Sequence, residues 1–390
     1  MKINLLPIVS SLHVGTVINQ QTQNLLREIE QQGDFAFFET AVEAFYDADL
    51  ALILVQSGGS EGRFLQLKDR LHAPYYLLTY GANNSLAASI EILSYLKANN
   101  ETAEILHGSA AYIADRLKTL CRRRPEAIVN LGVIGKPSDW LIASGVDPQA
   151  CLNRFNIRLV DIPMTELTDL YAKTVADEFC PDVTLDYDAE AIAKSGRVAA
   201  ALDKLISRYH LEGLSIRCFD LLGSIHTTGC LALSLMNRNG IVGTCEGDIP
   251  AMISMFLLRR ITGQCGFQAN PARIDIENKL IVLAHCTLPL DMAEKYRLTT
   301  HYESGIGVAV KGEMKMTDVT LFKLSGDLQH YYVAEGRILE NLNEANLCRT
   351  QIKIQLDDVR YFLTNPYGNH HIVVYGHCRK AIDDYLETYL

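Results

Sequence analysis

Two acidic residues follow a short apolar strand predicted near residues 240–245, and a helix begins directly after them. Asp248 has the side chain of a helix N-cap and Pro250 suits the first turn, so a helix is predicted over residues 251–261. Glu246 is then left at the carboxyl end of a strand, where open α/β sheets bind ligands. It is a candidate metal ligand or proton carrier. The alternative is a solvated loop acid beside an ordinary cap.

A second acid and a histidine belong to a predicted β-hairpin. Asp275 precedes the turn at residues 277–279, and alternation puts it on the face opposite to Ile274 and Ile276. The returning strand, residues 280–286, is apolar on both faces and yet contains His285 near its end. Asp275 could instead belong to the polar face of an edge hairpin, and His285 could be a hydrogen-bonded core residue.

Two adjacent histidines, His370 and His371, open the last predicted strand after a turn rich in Asn, Pro and Gly. Neighbouring residues of a regular strand point to opposite faces, so at most one of the pair reaches a given site unless a bulge intervenes.

Carboxylates and imidazoles at strand ends form a mixed donor set. Such a set suits Mn²⁺, Mg²⁺ or Co²⁺ better than a structural zinc, which prefers thiolates. The ten cysteines show no paired short spacing, so neither a thiolate site nor a disulfide framework is indicated. An ion with open positions would accept a substrate with two adjacent oxygens, such as the C1 carbonyl and C2 hydroxyl of a sugar.

The composition excludes several classes of protein. With 390 residues, 48% hydrophobic and 21% charged, the chain is expected to fold into two or three domains with substantial cores. A net charge of −10 argues against nucleic acid or a membrane surface as partner. No run approaches the roughly 18 apolar residues of a spanning helix, and the N-terminus fits a strand better than a signal peptide. A cytoplasmic location is therefore expected.

The order of predicted elements indicates an α/β fold with three domains. Strands and helices alternate up to about residue 262, as in doubly wound parallel sheets, with a boundary at the basic run 122–125. Beyond residue 263, short strands separated by turns predict a β-rich module that ends in a helix. The predicted domains are 1–124 (α/β), 125–262 (α/β) and 263–390 (β-rich with a terminal helix).

Four motifs occur in a fixed order along the chain: Cys245-Glu246-Gly247-Asp248, the Asp275 hairpin followed by Ala284-His285-Cys286, Gly305-Ile306-Gly307, and Gly368-Asn369-His370-His371. This ordered set resembles the motifs of the L-fucose isomerase and L-arabinose isomerase superfamily, in particular its short fucose-isomerase-like proteins. The resemblance covers most of the chain and is strongest over residues 223–376.

The resemblance implies a divalent metal, usually Mn²⁺, and an intramolecular oxidoreductase that converts an aldose into a ketose. It implies that Glu246 and Asp275 bind the metal and move protons across a cis-enediolate. It also implies that a late histidine, His371 in preference to His370, completes the ligands, with His285 as a further one. Homotrimers or homohexamers are implied, in which neighbouring subunits complete each site.

Two other functions are compatible with the same residues. The α/β layers could belong to a non-catalytic sugar-binding protein, in which the acids only accept hydrogen bonds from hydroxyl groups. The same ligands could also serve a metal-dependent hydrolase or aldolase.

Overall fold

The computed structural model describes residues 1–10, 16–99, 101–121, 127–174 and 187–386. The chain divides into two compact units, Met1–Glu126 and Ala127–Leu390. The predicted boundary at residues 122–125 lies outside the described residues. In the described part of the chain, no helix is long and apolar enough to cross a membrane.

The first unit contains a five-stranded parallel sheet with the strand order β2-β1-β3-β4-β5. Its central strands are runs of apolar residues, which is typical of parallel strands covered on both faces. The strands are β1 (Lys2–Ile8), β2 (Ala36–Glu39), β3 (Leu50–Val55), β4 (Tyr75–Leu78) and β5 (Ala103–Leu106). The helices are α1 (Thr16–Glu30), α2 (Glu61–Leu67), α3 (Ser85–Ala98) and α4 (Ala110–Cys121).

The second unit begins with a four-stranded parallel sheet in the order β7-β6-β8-β9. Its strands are β6 (Val129–Ile134), β7 (Ile157–Ile162), β8 (Leu211–Ile216) and β9 (Val242–Cys245). Its helices are α5 (Pro148–Phe155), α6 (Met164–Lys173), α7 (Ala189–Tyr209), α8 (Phe219–Ile225), α9 (Cys230–Arg238) and α10 (Ile249–Thr262).

Helix α10 is the central connection of this unit. Asp248 caps it by accepting a hydrogen bond from Ala251 N–H at 2.9 Å, and every residue from Ile249 to Leu258 is buried. A helix that is apolar on all sides needs partners on all sides. Side chains of α10 share one core with Val242 of the parallel sheet and with Phe322 and Ile372 of the following β-rich part.

The β-rich part is a closed antiparallel barrel with the strand order β10-β11-β16-β15-β14-β17 and a separate hairpin, β12-β13. Closure leaves β10 paired with β11 on one side and β17 on the other. The strands are β10 (Phe267–Asp275), β11 (Leu280–His285), β12 (Ala293–Thr299), β13 (Ala309–Met314), β14 (Asp318–Leu324), β15 (Tyr331–Asn341), β16 (Thr350–Leu356) and β17 (His371–Tyr375). The described part of this region also contains helix α11 (Tyr361–Thr364), which precedes β17, and helix α12 (Arg379–Leu386), which follows it.

The predicted fold class is confirmed: two parallel α/β sheets precede an antiparallel β-rich region. The second sheet and the barrel lie in one compact unit. A separate domain on each side of residue 262 stays a prediction.

Candidate metal centre

Glu246 stands at the end of β9 in an unusual backbone conformation. Its φ is +66° and that of Gly247 is +68°. A Cβ on residue 247 would lie 2.4 Å from the carbonyl oxygen of Lys136, so only glycine fits there. The Glu246 carbonyl accepts a hydrogen bond from Ser138 N–H at 2.9 Å. A left-handed backbone conformation at a non-glycine residue is energetically costly and occurs most often at functional sites. Its presence therefore supports a functional role for Glu246.

The two oxygens of the Glu246 carboxylate have different neighbours. The indole N–H of Trp140 donates to Oε2 at 2.7 Å. Oε1 faces two imidazoles, at 3.4 Å from His370 Nε2 and 3.9 Å from His285 Nε2. Trp140 therefore fixes the carboxylate with one oxygen turned toward the histidines.

Glu246, His285 and His370 form a buried group whose ligand atoms all lie within 4.8 Å of one another. Ligand atoms about 2.1 Å from a common ion are separated by roughly 3–4 Å, close to the two distances above. His370 Nε2 is buried and has no hydrogen-bond partner, which is costly unless another group binds it. The group could therefore hold a divalent metal ion.

The second nitrogen of each imidazole is also engaged. His370 Nδ1–H donates to Asp248 Oδ2 at 2.8 Å, and His285 Nδ1 forms a hydrogen bond with Thr287 Oγ1 at 2.9 Å. Such outer partners fix the ring orientation and the tautomer, which leaves Nε2 for the ion. Asp248 is itself completely buried, and Lys323 Nζ lies 3.5 Å from its Oδ1.

The surroundings shift the pKa values of the three ligand side chains in different directions. Burial acts to raise the pKa of Glu246, but the two imidazoles that face its Oε1, those of His285 and His370, hold it well below its usual range. Burial acts to lower the pKa of His370, but Asp248 and Glu246 together raise it to about 9. The pKa of His285 is lowered, chiefly by burial. Without a metal, Glu246 is therefore ionised and His370 carries the proton that an ion would displace.

Cys245, the residue before Glu246, does not join the ligand group. Its Sγ lies 2.7 Å from the Sγ of Cys218, and this contact together with burial raises its pKa. A protonated thiol is a poor metal ligand, because metals bind the thiolate.

The structure does not bring Asp275, a predicted ligand, to this group. Asp275 pairs with Leu280 at the turn of the hairpin, whereas Ala284 lies at the other end of β11. His285 follows Leu280 by five positions, which at about 3.4 Å per step places the two residues about 17 Å apart. The Asp275 carboxylate instead accepts hydrogen bonds from the backbone and side-chain N–H groups of Asn278, at 3.0 and 2.8 Å.

The structure places His370, rather than the preferred His371, in the ligand group. His371 pairs with Ala269 and points to the face opposite to that of His370. Its Nδ1–H donates to the Asn369 carbonyl at 2.9 Å, and its Nε2 lies 3.1 Å from the Tyr361 hydroxyl. Both nitrogens are thus occupied within the protein, and burial lowers the pKa of His371 to about 3.

Three further side chains lie near the centre. Asn270 pairs with Ala284 and, because Ala269 pairs with His371, lies level with His370 in the adjacent strand. Its Oδ1 is buried without a hydrogen-bond partner. Counting residue pairs along the hairpin, from Asp275 and Leu280 at the turn outward to Asn270 and Ala284, would have found it. Trp140 and His301 come from loops distant in sequence, and no local pattern indicated that they lie near Glu246.

No family model matches the chain. The sulfoquinovose isomerase of Alkalicoccus urumqiensis is 25% identical over 287 residues, which cover 66% of this chain and 63% of that protein. The sulfoquinovose isomerase of Priestia aryabhattai is 25% identical over 274 residues, or 64% of this chain and 60% of that protein. That of Clostridium sp. (strain MSTE9) is 30% identical over 91 residues, 23% of this chain. The matches thus span about three fifths of the length of the first two curated relatives.

Proposed function

We propose that the chain is a metal-dependent aldose–ketose isomerase that acts on a monosaccharide through a cis-enediolate. The observation that carries the proposal is the convergence of Glu246, His285 and His370 within 4.8 Å in a buried site. The name of the relatives, sulfoquinovose isomerase, supports the same reaction class.

The metal of this proposal is Mn²⁺, with Mg²⁺ and Co²⁺ as the other ions to test. One carboxylate and two imidazoles suit such ions, and the nearby amide oxygen of Asn270 offers a further hard donor. The ion would act as a Lewis acid and as a template for two adjacent sugar oxygens.

Glu246 is the proposed carrier of the carbon-bound proton. It is ionised and its Oε2 is oriented by the Trp140 indole, so it is ready to accept a proton from C2 and return it to C1. General acid–base catalysis of this kind contributes roughly 10²–10⁴-fold. The same role for Asp275 is withdrawn, because its carboxylate lies at the far end of the hairpin.

The proposed substrates are aldoses, among which sulfoquinovose has priority because of the relatives' names. Assembly into homotrimers or homohexamers is part of the proposal, as is a cytoplasmic location. Trp140 and Ile142 support an interface beside the site, since they are 52% and 94% exposed. Light scattering after gel filtration would test the assembly.

The test is a substrate panel. Protein loaded with Mn²⁺, Mg²⁺ or Co²⁺ is incubated with sulfoquinovose, pentoses, hexoses and 6-deoxyhexoses, and ketose formation is followed by NMR. The His370→Ala variant is the metal-deficient control. Ketose formation by the loaded wild type alone is expected. Binding without turnover would favour a sugar-binding protein, and cleavage products would favour a hydrolase or aldolase; either result contradicts the proposal.

A further inference from the structure

A tightly anchored loop between β12 and β13 carries His301. His301 N–H donates to the Ile306 carbonyl at 3.0 Å, and Gly305 N–H donates to the His301 carbonyl at 3.0 Å. At one end of the loop, Arg349 Nε donates to the Thr300 carbonyl at 2.8 Å. These bonds close the loop on itself and hold its first residues.

The other end of the loop is clamped to the start of α9. The hydroxyl of Thr228 accepts from Val308 N–H at 3.0 Å and donates to the Val308 carbonyl at 2.9 Å. A Cβ on Gly307 would lie 2.6 Å from Thr228 Oγ1, so the close approach requires glycine there. A side chain on such a loop has a defined position, as catalysis requires.

An aromatic chain connects His301 to Glu246. The His301 ring meets the edge of Phe219 with centroids 5.6 Å apart, and Phe219 meets Trp140 at 4.9 Å. Trp140 in turn donates its hydrogen bond to Glu246. His301 also lines a small cavity with Cys218, Phe219, Leu222, Thr228 and Cys230.

The proposed reaction needs a second proton carrier. Conversion of an aldose into a ketose moves one hydrogen from C2 to C1 and another from O2 to O1. Glu246 is the one carboxylate of the metal-binding group within the described residues. Asp248 cannot serve, because it is fully buried among His370, Lys323 and the first turn of α10.

We propose that His301 is the catalytic residue that carries the oxygen-bound proton between O2 and O1 of the sugar. The inference rests on the proposed function and adds a residue to it. His301 Nδ1 forms a hydrogen bond with Ser304 Oγ at 3.0 Å, which leaves Nε2 for a substrate hydroxyl. The Glu303 carboxylate lies 4.0 Å from Nε2, beyond hydrogen-bond distance.

The surroundings keep His301 neutral at pH 7. Burial is the first cause that lowers the pKa of His301, His285 and Arg349 act in the same direction, Glu246 opposes them, and the resulting pKa is about 4. A neutral imidazole can accept a proton at one step and return it at the next.

The step is balanced in two halves. In the first, Glu246 takes the C2 proton, the C2–H electron pair forms the C1=C2 bond, and the C1=O1 π pair becomes a lone pair on O1. Neutral His301 then takes the O2 proton and gives it to O1, which leaves the negative charge on O2. In the second, an O2 lone pair forms C2=O2 and the C1=C2 π pair takes the proton from Glu246 at C1, so Glu246 and His301 return to their starting states.

The test compares His301→Gln with His377→Gln, a change at an exposed histidine paired with Asp318 and Glu335. We expect kcat of His301→Gln to fall about 10²-fold or more while KM changes by less than about threefold. Bound metal and melting temperature should match the wild type. Added imidazole should restore part of the activity of His301→Ala. A kcat for His301→Gln equal to that of His377→Gln overturns the inference and leaves the proposed function intact.

A second readout does not depend on turnover. Protein with ¹³C-labelled histidine is loaded with Mg²⁺ and titrated with xylitol and sorbitol, and the His301 signal is assigned by its loss in His301→Gln. The signal should shift on addition of a polyol while that of His377 stays fixed. An unmoved His301 signal overturns the inference, whether or not the polyol binds elsewhere. A wild type that forms no ketose overturns the proposed function and, with it, the catalytic role of His301.

Discussion

His370 Nδ1 lies 2.8 Å from Oδ2 of Asp248, and both side chains are completely buried. Asp248 is also the N-cap of α10, the helix that packs against both the parallel sheet and the barrel. One carboxylate thus fixes a candidate metal ligand and the start of the central helix. The metal centre and the core therefore share Asp248, and a change at this residue should affect both.

Asp248→Asn tests this link. The amide can still cap α10, but it removes the charge that faces His370 and Lys323. We expect the Kd for Mn²⁺ to rise about 10- to 100-fold, as for other losses of a ligand's outer partner. The free energy of unfolding of the metal-free protein should fall by about 3 kcal/mol, because Lys323 is left buried without its partner.

A double variant separates the two effects of Asp248→Asn. Adding Lys323→Met removes the unpaired charge, so it should restore part of the stability in urea unfolding but none of the Mn²⁺ affinity. Recovery of both together would mean that Asp248 acts on the metal only through the stability of the fold.

The adjacent histidines provide a matched pair of variants. His370→Ala removes a nitrogen that faces Glu246, whereas His371→Ala removes a ring that contacts Tyr361 and pairs within the barrel. We expect Mn²⁺ affinity to fall at least about 100-fold in His370→Ala. His371→Ala should bind Mn²⁺ normally but lose about 3 kcal/mol of stability through the buried cavity. Isothermal titration and urea unfolding measure the two quantities, and the reverse pattern would restore His371 as the ligand.

The sequence was enough to predict the Glu246 loop and the helix after Asp248, because strand end, cap and proline are local signals. It also identified His285 as the end of a buried strand. Local sequence could not decide between His370 and His371. The answer depends on the pairing of β17 with β10, which forms when the barrel closes. Asp275 was misplaced for a simpler reason: it borders the turn, whereas the pocket lies at the open end of the same hairpin.

Asp275→Asn and Asn270→Asp test that geometry together. Asp275→Asn should leave Mn²⁺ binding unchanged, because its hydrogen bonds to Asn278 stay within the turn. Asn270→Asp adds a charged oxygen at the unpartnered position beside Ala284 and should strengthen Mn²⁺ binding severalfold. Metal titration decides the comparison. Loss of metal in Asp275→Asn would contradict the assignment of the centre.

Trp140→Phe isolates the hydrogen bond that orients Glu246. The ring can still pack against Phe219, but the donor to Oε2 is lost. A hydrogen bond to a charged group contributes about 1.5–3 kcal/mol, so kcat/KM should fall roughly 10- to 100-fold with metal content unchanged. Steady-state kinetics and metal analysis of the purified variant provide the measurement. Unchanged kinetics would show that the carboxylate does not need this donor.

Glu246→Gln distinguishes metal binding from proton transfer. The amide keeps the shape and one oxygen ligand, while the base is removed. We expect the variant to retain part of its Mn²⁺ and sugar affinity but to lose turnover by about 10²-fold or more. Glu340→Gln, which changes a surface acid paired with Lys353, is the matched control and should behave as the wild type. Transfer of deuterium from C2 of the labelled aldose to C1 of the ketose or to solvent, followed by NMR, reports the proton step directly. Transfer at the wild-type rate in Glu246→Gln would assign the base to another residue.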